Sequence, residues 1–223
     1  MGATRRPNRV QPRVCRQAVA EALGDDTAAA ILQQAAIADL SEWAAVGPRD
    51  LQALSAELDP FVRLYRLLLQ RTDRATALAI VRRAIVESGA VGHAHDAVAQ
   101  RGAAEEGLNL TSPPHAGFQA SPDELERAFT TAMRQFSCEG RLLAYTPDIV
   151  RFHVTDCNWC RAMEQAGAPE LIEFFCETDE RFMDYHPTHR LELAGTIGRG
   201  HPHCDFHFVR RAARDTRDSG GAS

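Results

Sequence analysis

The chain contains no lysine: all 25 of its basic residues are arginine. That excludes a Schiff-base lysine, a phosphate-loop lysine and a lysine general base. No stretch approaches the roughly 18 consecutive apolar residues that a membrane-spanning helix needs. The opening Met1-Gly-Ala-Thr-Arg-Arg-Pro is basic with no apolar run behind it, so neither an export signal nor a twin-arginine signal is expected. Arg6 also breaks the myristoylation pattern. Positive charge is not in excess either. With a net charge of −5, wholesale electrostatic binding to nucleic acid is not expected, because that requires clustered cations facing phosphates. No internal repeat is visible. A cytoplasmic protein is the expectation, with no membrane and no nucleic acid as partner and with a homo-oligomer left open.

What remains is a globular composition, 44% hydrophobic over 223 residues, carrying six cysteines. Thiols stay reduced in the cytoplasm, so these cysteines suggest metal binding or catalysis before disulfides. Residues 1–13, rich in Arg, Pro and Gln, read as a flexible arm, and residues 213–223 as a disordered tail. Between Val14 and Leu69 apolar residues recur at three- and four-residue spacing, as in Phe61, Leu64, Tyr65, Leu68 and Leu69, the signature of amphipathic helices. Gly24, Gly47-Pro48 and Asp59-Pro60 are expected to punctuate them. Asp73 reads as the N-cap of a helix that stops at Ser88-Gly89, and residues 88–120 as a connecting loop. Ser121-Pro122-Asp123-Glu124 opens another helix: a serine cap, a proline in the first turn, then acids near the positive end of the dipole.

From there the period changes. Residues 149–155, 189–197 and 204–210 alternate apolar with polar, as half-buried strands do. The last two are expected to pair antiparallel, because the link between them is too short for a parallel crossover. Helices are expected over 156–166 and 169–182. The class is therefore α+β: a helical region over 14–120, then an α+β domain over 121–212 whose antiparallel sheet is packed with helices.

Chemistry-bearing residues gather in this second part. Cys157 and Cys160 form a C-x-x-C between a strand and a helix, where the positive helix end favours a thiolate. A thioredoxin-like pair fits that order, but the elements that follow do not supply its sheet. Cys176 and Asp179, three apart, face one side of a helix; Phe174 and Phe175 beside them read as core. His203-Cys204-Asp205 opens the last strand after a glycine-rich turn. Alternation puts Cys204 and Phe206 on one face and His203, Asp205 and His207 on the other, which limits any triad of sequence neighbours. His201 and His207 read as rim residues. His153 and His189 have no visible cluster partner, and Cys15 and Cys138 read as packing residues in helical text. His93-Ala-His95-Asp96 is a weak metal signal.

The segment "RFHVTDCNWCRAMEQAGAPELIEFFCETDERFMDYHPTHRLELAGTIGRGHPHCDFHF", Arg151 to Phe208, resembles the L-2-amino-thiazoline-4-carboxylic acid hydrolase family. The resemblance rests on a strand ending in Cys157, on Gly167 to Leu171, on Cys176 with Asp179, and on Gly200 with Cys204-Asp205-Phe206. Cys160 departs from that pattern. The resemblance implies hydrolysis of a C–N bond in a small cyclic amidine-like ring, in the type case a thiazoline opened to a carbamoyl-cysteine. Two routes suit the residues. In one, the Cys204 or Cys157 thiolate attacks the ring carbon, Asp179 and Asp205 anchor the amidinium, and His203 moves protons. In the other, Cys157, Cys176 and Cys204 hold zinc or another divalent metal that activates water, with a fourth position open. A different class also fits the ending: a non-catalytic ligand- or metal-binding domain similar to the 4-vinyl-reductase-type sensors. A chain without lysine also suggests specialised metabolism.

Overall fold

The computed structural model describes residues 11–35, 51–100, 120–135, 138–184 and 189–211, with side chains throughout except at 51–57, 91–100, 135 and 182–184. The fold is α+β. Among the described residues seven helices, mostly in the N-terminal half, accompany one four-stranded antiparallel sheet in the C-terminal half. No described helix is long and apolar enough to cross a membrane. The segments read as arm and tail lie outside the described residues up to residue 10 and from residue 212.

The chain divides into two compact units, Met1–Gly102 with Asn158–Asp179, and Ala103–Cys157 with Glu180–Ser223. In the first unit, α1 (Pro12–Leu23) starts with proline in its first turn and ends at Gly24, whose φ of 87° lets its N–H reach Ala20 O. α2 (Asp25–Gln34) follows with two acids in its opening turn. α3 (Leu51–Leu69) runs through Pro60, so the break expected at Asp59-Pro60 is absent. An interior proline costs about 3 kcal/mol. Leu58, Phe61, Leu64 and Leu68 are fully buried on the same helix, and each large apolar side chain contributes about 1.5–3 kcal/mol. Burial therefore outweighs the missing hydrogen bond.

α4 (Arg74–Gln100) corrects a second expectation. Asp73 caps it, accepting from the Thr76 N–H at 3.0 Å and the Thr76 hydroxyl at 2.7 Å, but Ser88-Gly89 does not end it. Those two small residues are a packing surface. Ser88 is fully buried and its hydroxyl accepts the Gln11 N–H. A Cβ on Gly89 would lie 2.0 Å from Thr178 Cγ2. The helix thus covers residues 88–100 of the expected loop, and the side chains of His93, His95 and Asp96 lie outside those described.

The helices expected at 156–166 and 169–182 are present as α6 (Asn158–Gln165) and as a 3-10 turn (Pro169–Leu171) that leads into α7 (Ile172–Asp184). Met163, Leu171, Phe174 and Phe175 join the core of the first unit, where Phe175 meets Phe61 edge-on at 5.7 Å. Tyr65 donates to Glu170 at 2.7 Å and Arg74 reaches the same oxygen at 3.2 Å, tying the 3-10 turn to α3 and α4.

In the second unit, α5 (Pro122–Gln135) opens with a reciprocal cap: the Glu124 N–H donates to Ser121 Oγ, and the Ser121 N–H donates to the Glu124 carboxylate. The sheet consists of β1 (Cys138–Tyr145), β2 (Ile149–Cys157), β3 (His189–Leu193) and β4 (Cys204–Arg210), in the order β1-β2-β4-β3. The antiparallel β3–β4 pair is as expected. β1 is not, and Cys138, read as helical, is its first residue. Phe129 and Met133 of α5 pack with Val150, Phe152, Val154, Cys204 and Phe208 on the sheet's apolar face, where Phe152 stacks on Phe206 at 5.0 Å.

Gly89→Ala should destabilise the protein by about 1–3 kcal/mol, the usual cost of overpacking. Adding Thr178→Ser, which removes the obstructing methyl and keeps the hydroxyl bond to Phe174 O, should recover most of that loss. Urea unfolding of the single and double variants measures both.

Candidate functional site

Because strand side chains alternate, the residues of β2 between its apolar ones form a second, polar face. Register fills it. Across the sheet Arg141 pairs with His153 and His153 with Asp205; in the next row Arg151 pairs with His207 and His207 with Glu192. Asp205, half-buried, accepts two bonds from Arg151, at 3.1 Å from Nε and 2.8 Å from Nη2. That fork is a geometry arginine favours with carboxylates. It holds the Asp205 carboxyl below the usual carboxylate range; burial opposes the shift, and the charge of Arg151 adds to it.

His153 is the deepest member of the group, 8% exposed. The His203 ring stacks on it at 3.9 Å and 23°. Arg141 Nη2 stands 3.3 Å from His153 Nδ1. Arginine can only donate, so Nδ1 accepts and the neutral ring carries its proton on Nε2. Nε2 lies 3.3 Å from Asp205 Oδ1 yet is out of line for a hydrogen bond, and no described atom satisfies it. A buried, unsatisfied ring nitrogen needs a reason, and water or a ligand is the ordinary one. Burial lowers the His153 pKa most, the His203 ring adds to the effect, and Asp205 opposes it.

The sequence-selected residues are distributed as follows. His203 and Asp205 come together on the polar face, with His153 and Arg151 as partners. The expectation that His153 has no cluster partner is therefore corrected. Cys204 points to the opposite face, 6% exposed among Phe129, Phe152 and Phe208, and its sulfur accepts the Ile197 N–H at 3.3 Å. Cys157 packs on the same apolar cluster. It lies three residues beyond Val154, the β2 residue that faces Cys204, which is roughly 10 Å of strand. Cys160 is partly buried against the core of the first unit. Cys176 and Asp179, both half-buried on α7, belong to that first unit. Within neither unit do three His, Cys, Asp or Glu side chains group so as to hold a metal ion among the described residues. His201 is exposed, and His207 faces Glu192 at 3.3 Å. His189 is buried on β3, 3.3 Å from Pro147 O, and burial lowers its pKa.

Arg141, Arg151 and His153 were the residues that sequence reasoning missed. Alternation over 149–155 did mark Arg151 and His153 as sharing the polar face, but neither has a partner within reach in the text.

An α+β protein with an antiparallel sheet, one face apolar and the other carrying paired imidazoles, a carboxylate and arginines, is the class these elements define. The sequence model of the L-2-amino-thiazoline-4-carboxylic acid hydrolase family matches residues 52–208, from within α3 to β4, and the chain belongs to that family. No curated protein and no solved structure matches the chain.

His153 should titrate below the ordinary imidazole value of about 6.5, and Asp205→Asn, which removes the attracting carboxylate, should lower it further; NMR titration of the ring protons reads both. The folded ring takes up its proton less readily than the unfolded one. Its contribution to stability is therefore complete above about pH 6.5 and is lost as the pH falls through the folded value. The Asp205 contribution is likewise present above the unfolded carboxylate value and lost as pH falls through its lowered folded value. Acid therefore destabilises on both counts, and His153→Gln should flatten the decline in urea midpoint between about pH 7.5 and 5.5.

Proposed function

We propose that this protein is a cytoplasmic hydrolase that opens the ring of a small cyclic amidine bearing a carboxylate, of the 2-amino-thiazoline-4-carboxylate type, on the polar face of its sheet. Family membership supports a hydrolytic reaction. The observation that carries the site is the buried Nε2 of His153, unsatisfied at the centre of a group of arginines, imidazoles and a carboxylate. Two arginines there, Arg141 and Arg151, flank the group around Asp205, with the Glu192 carboxylate held beside His207 in the next row. That arrangement suits an anionic substrate, whose carboxylate takes one guanidinium while Asp205 remains available to an amidinium.

Water adds to the ring carbon that bears the exocyclic amine. A neutral imidazole takes the proton water gives up; His203, the more accessible of the stacked pair, serves here, and His153 beneath it stays uncharged. The bond from that carbon to a ring heteroatom then breaks, and the imidazolium returns its proton to the leaving atom. As the carbonyl forms, the hydroxyl of the adduct gives its proton to solvent, so one amidinium ring and one water give one open carbamoyl product and one proton.

This reading prefers activated water to a Cys204 thiolate, because Cys204 lies behind the strand from His203 and Asp205, among phenyl rings. Cys157, Cys176 and Asp179 then act in support of the fold. His203→Asn and Asp205→Asn should each lower kcat/KM for thiazoline opening by about 100-fold, the lower range for a lost acid–base group. Cys204→Ser should remain within a few-fold of the parent. Loss of turnover in Cys204→Ser with His203→Asn unaffected would transfer the chemistry to the thiolate. One metal per chain, with activity lost on chelation, would transfer it to metal-bound water held by the cysteines. No turnover, together with a retained apolar ligand, would favour the sensor class.

A further inference from the structure

Cys138 and Cys157 are the first residue of β1 and the last of β2, and their Cα atoms are direct partners across the antiparallel pair. Antiparallel partners stand about 4.5 or 5.5 Å apart, depending on which kind of pair they form. Both spacings fall within the roughly 4.4–6.8 Å that disulfides span between Cα atoms. Partners of this kind project to the same face of the sheet, and both side chains pack against the cluster of Phe129 and Phe152. Both are half-buried, within reach of a small reagent, whereas Cys204 on the same cluster is 6% exposed. The ladder is irregular just inside the pair, between Glu139 and Gly140, so the rungs Cys138–Cys157 and Glu139–Asp156 stand beyond a bulge. Ladder ends beyond a bulge open more readily than the centre of a sheet.

We propose that Cys138 and Cys157 are a thiol pair that closes reversibly to a cross-strand disulfide, pinning the end of the β1–β2 ladder where the chain passes into α6. The oxidant is a low-molecular-weight disulfide such as oxidised glutathione. One protein thiolate attacks it, forming a mixed disulfide and expelling one small thiol. The second protein thiolate then displaces the other small thiol and forms the Cys138–Cys157 bond. Two protein thiols lose two electrons and two protons, and the small disulfide is reduced to two thiols. The site is separate from the polar face and stands whether or not the hydrolytic reading does.

The test incubates the full chain with oxidised glutathione under native conditions, alkylates what remains, and maps the peptides. The expected result is a loss of two of the six thiols, a Cys138–Cys157 linked peptide, and full reversal by dithiothreitol. Closure should raise the thermal midpoint by roughly 5 °C, the scale expected when a short loop is cross-linked in a chain of this size. Cys138→Ser should show neither the linked peptide nor the rise, and should carry a glutathione adduct on Cys157 instead. A Cys157–Cys160 peptide would overturn the proposal, as would glutathione adducts on Cys138 and Cys157 in the parent chain with no bond between them.

Discussion

The pairing of β2 with β4 is the constraint on which the second unit depends. It sets Phe152 opposite Phe206 and Val150 opposite Phe208, and in the same register it sets His153 opposite Asp205. A slip of one residue would turn every side chain to the other face, placing Arg151 and His153 among the phenyl rings and Phe152 on the polar side. The apolar stack and the polar group are thus two consequences of one alignment. The Arg151–Asp205 fork reinforces it, since a half-buried carboxylate left without its guanidinium is costly.

The residues on which the resemblance rests include several that hold the fold. Glu170, within the Gly167–Leu171 stretch, binds Tyr65 and Arg74 and holds a turn against two helices. Gly167 and Gly200 have φ of 67° and 84°, where other residues are strained. Cys204 and Phe206 belong to the apolar cluster, while Asp205 between them faces the imidazoles. A motif read as one unit in the text, Cys-Asp-Phe, is therefore divided by the strand into two structural residues and one polar one.

Local sequence chemistry and tertiary structure part company at several places, each for a physical reason. Pro60 and Ser88-Gly89 carry the local chemistry of breaks, and tertiary burial overrode it in both places: Pro60 is carried by its buried neighbours, and Gly89 is small because Thr178 needs the room. β1 escaped notice because its half-buried residues alternate with exposed ones without strong apolar contrast. Missing that strand also hid the position of Cys138 opposite Cys157. His153 was passed over because its neighbours in the text are Phe152 and Val154, and its partners are 12, 50 and 52 residues away at Arg141, His203 and Asp205.

The sequence alone determined the α+β class, the capped helices at Asp73 and Ser121, three of the four strands, the alternation that separates Cys204 from its neighbours, and the family. These follow from periodicity, capping and motif spacing, which are local and written in consecutive residues. Only the tertiary structure decided which face meets which partner: the helix that ran on past Ser88, the edge strand, and the convergence of Arg141, Arg151, His153, His203 and Asp205. Register between strands far apart in the chain depends on the packing of the whole apolar face at once, and no short window of residues contains that sum.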